Sequence, residues 1–360
     1  MRNPKTTIVY VAIAFAAVTS ARSQSPQQKP ASHWAIVIHG GAGDINRAKL
    51  GKKGDAAYRA ALAKVIETGS QVLDRGGSSL DAVEAAIRVM EDDSLFNASR
   101  GAVFTATGET ELDAAIMDGA TLRAGAVADV TRTRYPITLA RAVMEKTPYV
   151  LLVGAGADAF SVQAGMEQAG PGYFFTESRW QSLVKQLEKE GKPIPPRPAG
   201  APPPGPVEPN AQLQEAAGMH LYGTVGVVAL DRAGNIAAGT STGGLQGKLS
   251  GRVGDSPLIG AGTYASNQSC AVSGTGVGEF FIRYTVAREV CALVQYKGLS
   301  LQQAVDEVIH KRLAPIHGDG GVIALAPDGQ LAWSFNTPGM FRARLAEGGK
   351  IQIGIYGDEP

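Results

Sequence analysis

Thr224 stands directly behind Gly223 and opens the apolar run TVGVVAL. A threonine hydroxyl is a weak nucleophile unless a base sits beside it, and a free α-amino group on the same residue is such a base. With a reference pKa of about 7.7 to 8.0, that amine accepts a proton near neutrality. In mid-chain the nitrogen is an amide and useless for this purpose, so the chemistry requires the Gly223-Thr224 bond to be cut first. A glycine before the scissile bond tolerates strained dihedrals. The proline-dense stretch GKPIPPRPAGAPPPGPVEPNAQ just upstream supplies slack for the new ends. The bland alternative is a β-branched residue that merely starts a strand.

Other residue types of matching chemistry follow. Thr240-Ser241-Thr242-Gly243-Gly244 ends what reads as the partner strand of a hairpin turning at Ala233-Gly234-Asn235. In GRVGDSP, Arg252 and Asp255 place opposite charges three residues apart, which complements a zwitterionic amino-acid head. Gly274-Thr275-Gly276-Val277-Gly278-Glu279 leads into a helix and exposes backbone N–H groups able to hold negative charge. Near the start, HGGAG from His39 to Gly43 follows a short apolar strand and reads as a glycine-dependent tight turn, since no GxGxxG, GxxxxGK[ST] or GxSxG pattern occurs. The histidines His33, His39, His220, His310 and His317 lack HExxH or CxxC company, which leaves a zinc site without support.

Elements must position these groups. Trp34 to Ile38 reads as a buried strand, and helical spacing runs from Asp55 to Asp74 and from Ser79 to about Glu91. Strands are expected near 101–105, 111–117 and 124–130, with helices at 136–146, 155–168 and 177–190. Past the proline tract, expected strands cover 225–230 and 235–241, with more near Thr263 and Ala271. A long helix is read from Glu279 to about Tyr296, and a second, opened by a Ser300/Gln303 capping box, to about Leu313. Three or four C-terminal strands follow, near 321–326, 330–336, 341–345 and 351–355. Two antiparallel sheets sandwiched between helices fit this order.

The 360 residues carry 34 Lys+Arg against 33 Asp+Glu, so no net field attracts nucleic acid or an anionic membrane, and a small molecule or peptide is the expected partner. The first 23 residues pair basic Arg2 and Lys5 with an apolar run near Ile8 to Val18 and then small residues, the pattern of a cleaved secretory signal, although an uncleaved anchor shares it. A periplasmic or secreted protein, free of the membrane once cleaved, is expected. Cys270 falls in an expected strand and Cys291 in an expected helix; both suit buried thiols, and export makes a bridge chemically possible. Asn97-Ala-Ser99 and Asn267-Gln-Ser269 match the glycosylation pattern, which matters only on a eukaryotic secretory route.

Taken together, HGGAG, LFNASRGAVFT, ELDAAIMDG, GTVGVVALD, TSTGG, GRVGDSPLIGAG and GTGVGE resemble, in order, the plant-type asparaginase and isoaspartyl peptidase family of N-terminal nucleophile hydrolases, from about Trp34 to Phe341. The resemblance implies an α+β fold, a four-layer αββα sandwich. It also implies autoproteolysis at Gly223-Thr224 into an alpha subunit (24–223, with the linker about 191–212) and a beta subunit (224–360), assembled as an (αβ)2 heterotetramer. Carried over by position, Thr224 resembles the nucleophile, Thr242 its hydroxyl partner, Arg252 and Asp255 the pair gripping the substrate's α-carboxylate and α-ammonium, and Thr275 and Gly276 the oxyanion donors. Gly278 resembles a backbone contact to the substrate head and Asn97 a supporting residue. MEDDSLFNASRG resembles a loop whose carbonyls, at Met90, Glu91, Asp93, Phe96, Ala98 and Arg100, bind a structural sodium ion, while the residues alone also read as a solvated polar loop. Ser99 departs from a frequent family glycine, and Gly274 and Val277 from frequently polar residues.

The expected activity is hydrolysis of isoaspartyl dipeptides and L-asparagine to release aspartate, with no cofactor for catalysis. The alternatives are a glycosylasparaginase and an uncleaved amino-acid-binding homologue.

Overall fold

The computed structural model describes residues 33–204 and 223–359. The expected signal (1–23) and the part of the proline tract beyond residue 204 lie outside the described residues.

Alternating apolar residues build two sheets. One has eight strands in the order β12-β11-β1-β5-β6-β2-β3-β4, and the other four in the order β10-β9-β8-β7. In chain order the strands of the large sheet are β1 (Ala35–Gly43), β2 (Leu112–Asp118), β3 (Ala124–Val130), β4 (Leu151–Val153), β5 (Val225–Leu230) and β6 (Ile236–Thr242). The small sheet takes β7 (Thr263–Ala265), β8 (Ala271–Gly276), β9 (Gly320–Leu325) and β10 (Leu331–Phe335); β11 (Gly339–Ala346) and β12 (Gln352–Tyr356) return to the large one. All pairings are antiparallel except β3 with β4.

Helices α1 (Arg47–Asp74), α2 (Ser79–Glu91) and α3 (Pro136–Lys146) cover the outer face of the large sheet. After α4 (Gly154–Gln163), the short α5 (Pro171–Phe174) and α6 (Glu177–Glu190), the helices α7 (Gly278–Tyr284), α8 (Val286–Lys297) and α9 (Leu301–Asp306) cover the small sheet. Strand parity divides the core. On β1, Ile36 and Ile38 face the helices, while Ala35 and Val37 face the other sheet; on β5, Val227 faces out and Val228 in. Ile323 and Leu325 of β9 complete the inter-sheet layer. Helix, sheet, sheet, helix is the expected four-layer sandwich.

Several local expectations change. HGGAG is not a turn: it continues β1 through a bulge between His39 and Gly41, with Gly41 at φ 110° supplying the unusual conformation. Residues 101–105 form no strand beyond an isolated bridge from Thr105 to Lys248. Helix α1 starts eight residues early because Asn46 caps it, and it kinks at Gly51. The expected long helix from Glu279 breaks at Thr285, whose φ of 47° the apolar periodicity cannot register. Helix α9 keeps its Ser300/Gln303 capping box and runs on as a π-helical stretch from Glu307 to Leu313. Cys270 and Cys291 are disulfide-bonded, with Cα atoms 5.3 Å apart, rather than two separate buried thiols, because the end of the β7–β8 turn lies against α8. Among the described residues no helix is long and apolar enough to cross a membrane.

Candidate active site

The β5–β6 hairpin sets the register of the site. Asp231 Oδ1 accepts from the Ala233 and Asn235 N–H groups at 3.0 Å, closing the turn, and pairs Val225 with Ser241. Thr224 and Thr242 are thereby brought to the same end of neighbouring strands. Thr224 Oγ1 donates to Thr242 Oγ1 at 3.1 Å, and Thr242 donates its own proton to the Gly223 carbonyl at 3.0 Å. The Gly244 N–H donates to Thr242 Oγ1 at 2.9 Å, which fills that hydroxyl's remaining lone pair.

Asn97 belongs to the same cluster. Its Nδ2 donates to the Gly223 and Gly244 carbonyls at 2.8 Å each, and its Oδ1 accepts from the Val103 N–H at 2.9 Å. The Gly223 carbonyl therefore receives two donors. The loop presenting Asn97 turns through Ser99, which takes φ 44°, a conformation glycine adopts freely; Ser99 is held there by donating to the Arg134 carbonyl at 2.6 Å.

Arg252, Asp255 and Gly278 form the second cluster. A Cβ on Gly278 would sit 2.9 Å from Asp255 Oδ1 and 3.0 Å from Arg252 Nη2, so only glycine admits all three. Glu111 Oε2 accepts from the Gly251 N–H at 3.0 Å and steadies the loop; buried Lys248 in turn donates to the Glu111 carbonyl at 3.0 Å. Arg252 is paired with Glu279 at 2.9 Å. Asp255 is buried, its Oδ2 has no hydrogen-bond partner among the described residues, and burial pushes its carboxyl up to about 7 against the opposing pull of Arg252. Gly274 lies between this carboxylate and the Phe281 ring, which occupies the space a side chain there would need.

Thr275 and Gly276 end β8. Thr275 Oγ1 accepts from the Ala42 N–H at 3.3 Å, so its own proton is available to donate. Gly276, at φ 153°, packs against Asp319 and Gly320 where any side chain would collide. Of the expected cation loop, Met90, Glu91, Phe96 and Ala98 are buried, while Asp93 is half-buried and the Arg100 guanidinium lies over the Tyr173 ring. Glu91 is a carboxyl that burial pushes up to about 8, with Oε1 accepting from Ser241 and the Ile137 N–H.

Sequence reasoning missed His39. Its Nδ1 lies 3.0 Å from the Thr224 carbonyl and its Nε2 3.0 Å from Ser273 Oγ. The only available signal was a histidine at the end of an otherwise apolar strand, on the inner-face parity. Lys248 and Glu111 also escaped, because nothing local distinguishes a buried ion pair from a solvated one.

These four layers, with a threonine heading an inner strand, are those of the N-terminal nucleophile hydrolase sandwich. The chain belongs to the asparaginase family, whose model matches residues 32–355. It is 47% identical over 321 residues to the isoaspartyl peptidase of Escherichia coli (strain K12), covering 89% of this chain and 95% of that one. It is 42% identical over 332 residues to a probable isoaspartyl peptidase/L-asparaginase 2 of Arabidopsis thaliana, covering 90% and 99%. With the isoaspartyl peptidase/L-asparaginase of Mus musculus it shares 38% over 323 residues, covering 89% and 90%.

Proposed function

We propose that this enzyme cleaves itself between Gly223 and Thr224 and then hydrolyses isoaspartyl dipeptides and L-asparagine with Thr224 as nucleophile. The observation that carries the reading is the Gly223 carbonyl held by Asn97 Nδ2 and Thr242 Oγ1, with the Thr224 hydroxyl bonded to that same Thr242. In self-cleavage Thr224 Oγ1 adds to the Gly223 carbonyl carbon. Its proton passes to Thr242 Oγ1 as Thr242 releases its own to the carbonyl oxygen, while Asn97 donates to that oxygen. The C–N bond then breaks as the nitrogen takes a proton, leaving an ester, and water hydrolyses it to a Gly223 carboxylate and a free Thr224 amine.

In turnover that amine takes the Oγ1 proton, and Oγ1 attacks the side-chain carbonyl of the bound aspartyl unit. Thr275 Oγ1 and the Gly276 N–H donate to the oxyanion. The amine or ammonia leaves with the proton, and water attacks the aspartyl ester to release aspartate. Arg252 takes the α-carboxylate; Asp255, with Gly278 beside it, takes the α-ammonium, which supplies the partner its Oδ2 lacks.

A structural sodium ion fits the loop from Met90 to Arg100, since backbone carbonyls are the hard oxygen donors such a cation takes. The Ser94 and Phe96 carbonyl oxygens crowd the position of a Cβ on Gly101, a sign of how tightly the loop curls. Met90, Glu91, Asp93, Phe96, Ala98 and Arg100 would hold the ion, and its role would be to stiffen the segment that presents Asn97. Removal of residues 1–23 as a secretory signal is part of the same proposal, and the Cys270–Cys291 bridge supports an oxidising periplasmic or extracellular address. Tyr149, Val150, Leu151 and Val153 are exposed beside or on edge strand β4, which supports burial of that edge in an (αβ)2 heterotetramer.

The test is a denaturing gel with N-terminal sequencing, alongside aspartate release from a β-aspartyl dipeptide. A 137-residue piece spanning 224–360 and starting at Thr224 is expected. An intact chain that still hydrolyses the dipeptide would sink the proposal.

A further inference from the structure

The inter-sheet layer is apolar along most of its length and becomes hydroxyl-lined at the end nearest Thr224. Parity places His39 (β1) and Thr240 (β6) on the inner face of the large sheet, and Thr263 (β7) and Ser273 (β8) on the inner face of the small one, two residues along from inward-facing Val37, Ala238, Ala265 and Ala271. All four are buried and joined in series. Thr263 Oγ1 lies 2.6 Å from Thr240 Oγ1, Thr240 2.7 Å from Ser273 Oγ, and Ser273 3.0 Å from His39 Nε2; His39 Nδ1 lies 3.0 Å from the Thr224 carbonyl.

The sense of this chain is set at its end. A carbonyl only accepts, so Nδ1 carries the proton and donates to it. Burial pushes the imidazole down to about 3, so the ring is neutral and Nε2 is bare. Ser273 then donates to Nε2, which leaves its oxygen to accept from Thr240, whose oxygen accepts from Thr263. Thr263 and Thr240 each have a second acceptor outside the chain, the Ser256 carbonyl at 3.0 Å and the longer Gly262 carbonyl at 3.4 Å. Every link from Thr240 onwards points toward Thr224. Gly226 makes the room: a Cβ there would land on both Ser273 Oγ and His39 Nε2.

We infer that His39 is a positioning residue for the nucleophile, holding the Thr224 backbone by its carbonyl and being held in turn by the Ser273–Thr240–Thr263 hydroxyl chain. The inference rests on the reading of Thr224 as nucleophile. Its force comes from what cleavage removes. In the uncut chain, Thr224 is tethered through the Gly223 carbonyl by Asn97 and Thr242. Once Gly223 separates, both bonds cease to restrain Thr224, which becomes a chain end prone to fray. The His39 bond does not involve Gly223 and persists, together with the Thr242 contact and the β5 ladder. Because the carbonyl, the α-carbon and the amine of one residue are rigidly linked, fixing the carbonyl restricts where the amine and Oγ1 point.

Turnover of a β-aspartyl dipeptide per processed chain, with Tm, should be measured for the parent, His39→Leu, His39→Asn and Ser273→Ala. For His39→Leu, kcat should fall about 10- to 100-fold through misplacement of the nucleophile, with KM within about twofold because substrate binding is untouched. His39→Asn should recover most of the loss, since its Nδ2–H occupies the Nδ1 position. Ser273→Ala should lose about fivefold, one hydrogen bond of support. Parental kcat in His39→Leu, or an Asn variant as impaired as the Leu one, overturns the inference. If His39→Leu does not fold, Ser273→Ala decides alone, and parental kcat there overturns it. A parent that neither cuts itself nor turns over removes the nucleophile assignment and this inference with it, which distinguishes the two failures.

Discussion

The cluster around Thr224 and the cluster around Asp255 are built on opposite principles. At Thr224 every hydroxyl and amide is matched: Thr242 uses its donor and both lone pairs, and Asn97 uses both amide protons and its oxygen. No formal charge enters that network. At Asp255 a buried carboxylate faces Arg252 with one oxygen unpartnered among the described residues, at a site where burial has raised its pKa to about 7. The first cluster is finished before any ligand arrives, which suits the self-cleavage proposed for it. The second is left incomplete, and a buried unsatisfied charge is costly enough that an incoming ammonium is strongly favoured.

Breaking the finished cluster at its centre should have the largest effect. Thr224→Ala should stay a single uncut chain on a gel and lose activity by about 10⁴-fold or more, as removal of a nucleophile does. Next comes the incomplete cluster. Asp255→Asn keeps the shape and deletes the charge, so kcat/KM should drop about 10²- to 10³-fold, expressed mainly in KM, while self-cleavage proceeds as in the parent.

The same substitution sharpens the contrast through pH. Below about 7 the parent's empty site holds a neutral Asp255, so kcat/KM should fall with acidity through that region, and part of this limb should vanish in the Asn variant. Stability should move the other way. A carboxyl whose folded-state pKa is raised contributes stability that is full below its unfolded value and lost as pH rises through about 7, so at pH 8 Asp255→Asn should melt above the parent.

Asn97→Ala tests whether the finished cluster serves self-cleavage more than turnover. Processing should slow by about 10²- to 10³-fold, the scale of one oxyanion donor, and chains that do mature should keep most of their kcat. The smallest effect on activity is expected from Cys291→Ser, which opens a link spanning 21 residues behind β8. It should cost roughly 3 kcal/mol of stability, read as a lower Tm in calorimetry, with kcat little changed.

The sequence singled out Thr224, Thr242, Arg252 and Asp255 because each sits in a short segment whose chemistry is local: a hydroxyl after glycine, a hydroxyl cluster before paired glycines, or opposite charges three residues apart. The two-sheet order was legible for a similar reason, since period-two burial is written along each strand. The break at Thr285 and the bulge in HGGAG were not, because one residue's φ leaves no periodic trace. His39 looked like part of a glycine turn, and Thr263 and Ser273 carried no mark beyond lying in or beside expected strands near Thr263 and Ala271. Their partners lie 185 or more residues away for His39 and on the opposite sheet for Thr240, so only packing reveals them.

By itself, then, the sequence determined which atoms could react and which faces had to be buried, because bonding capacity and hydrophobic period belong to individual residues and their near neighbours. Only the tertiary structure decided that Gly223 would be gripped by Asn97, that Asp255 would be buried with an empty oxygen, and that a hydroxyl chain across two sheets would end on Thr224. Each of those depends on distances between residues far apart in the chain, which exist only once the two sheets have closed on one another.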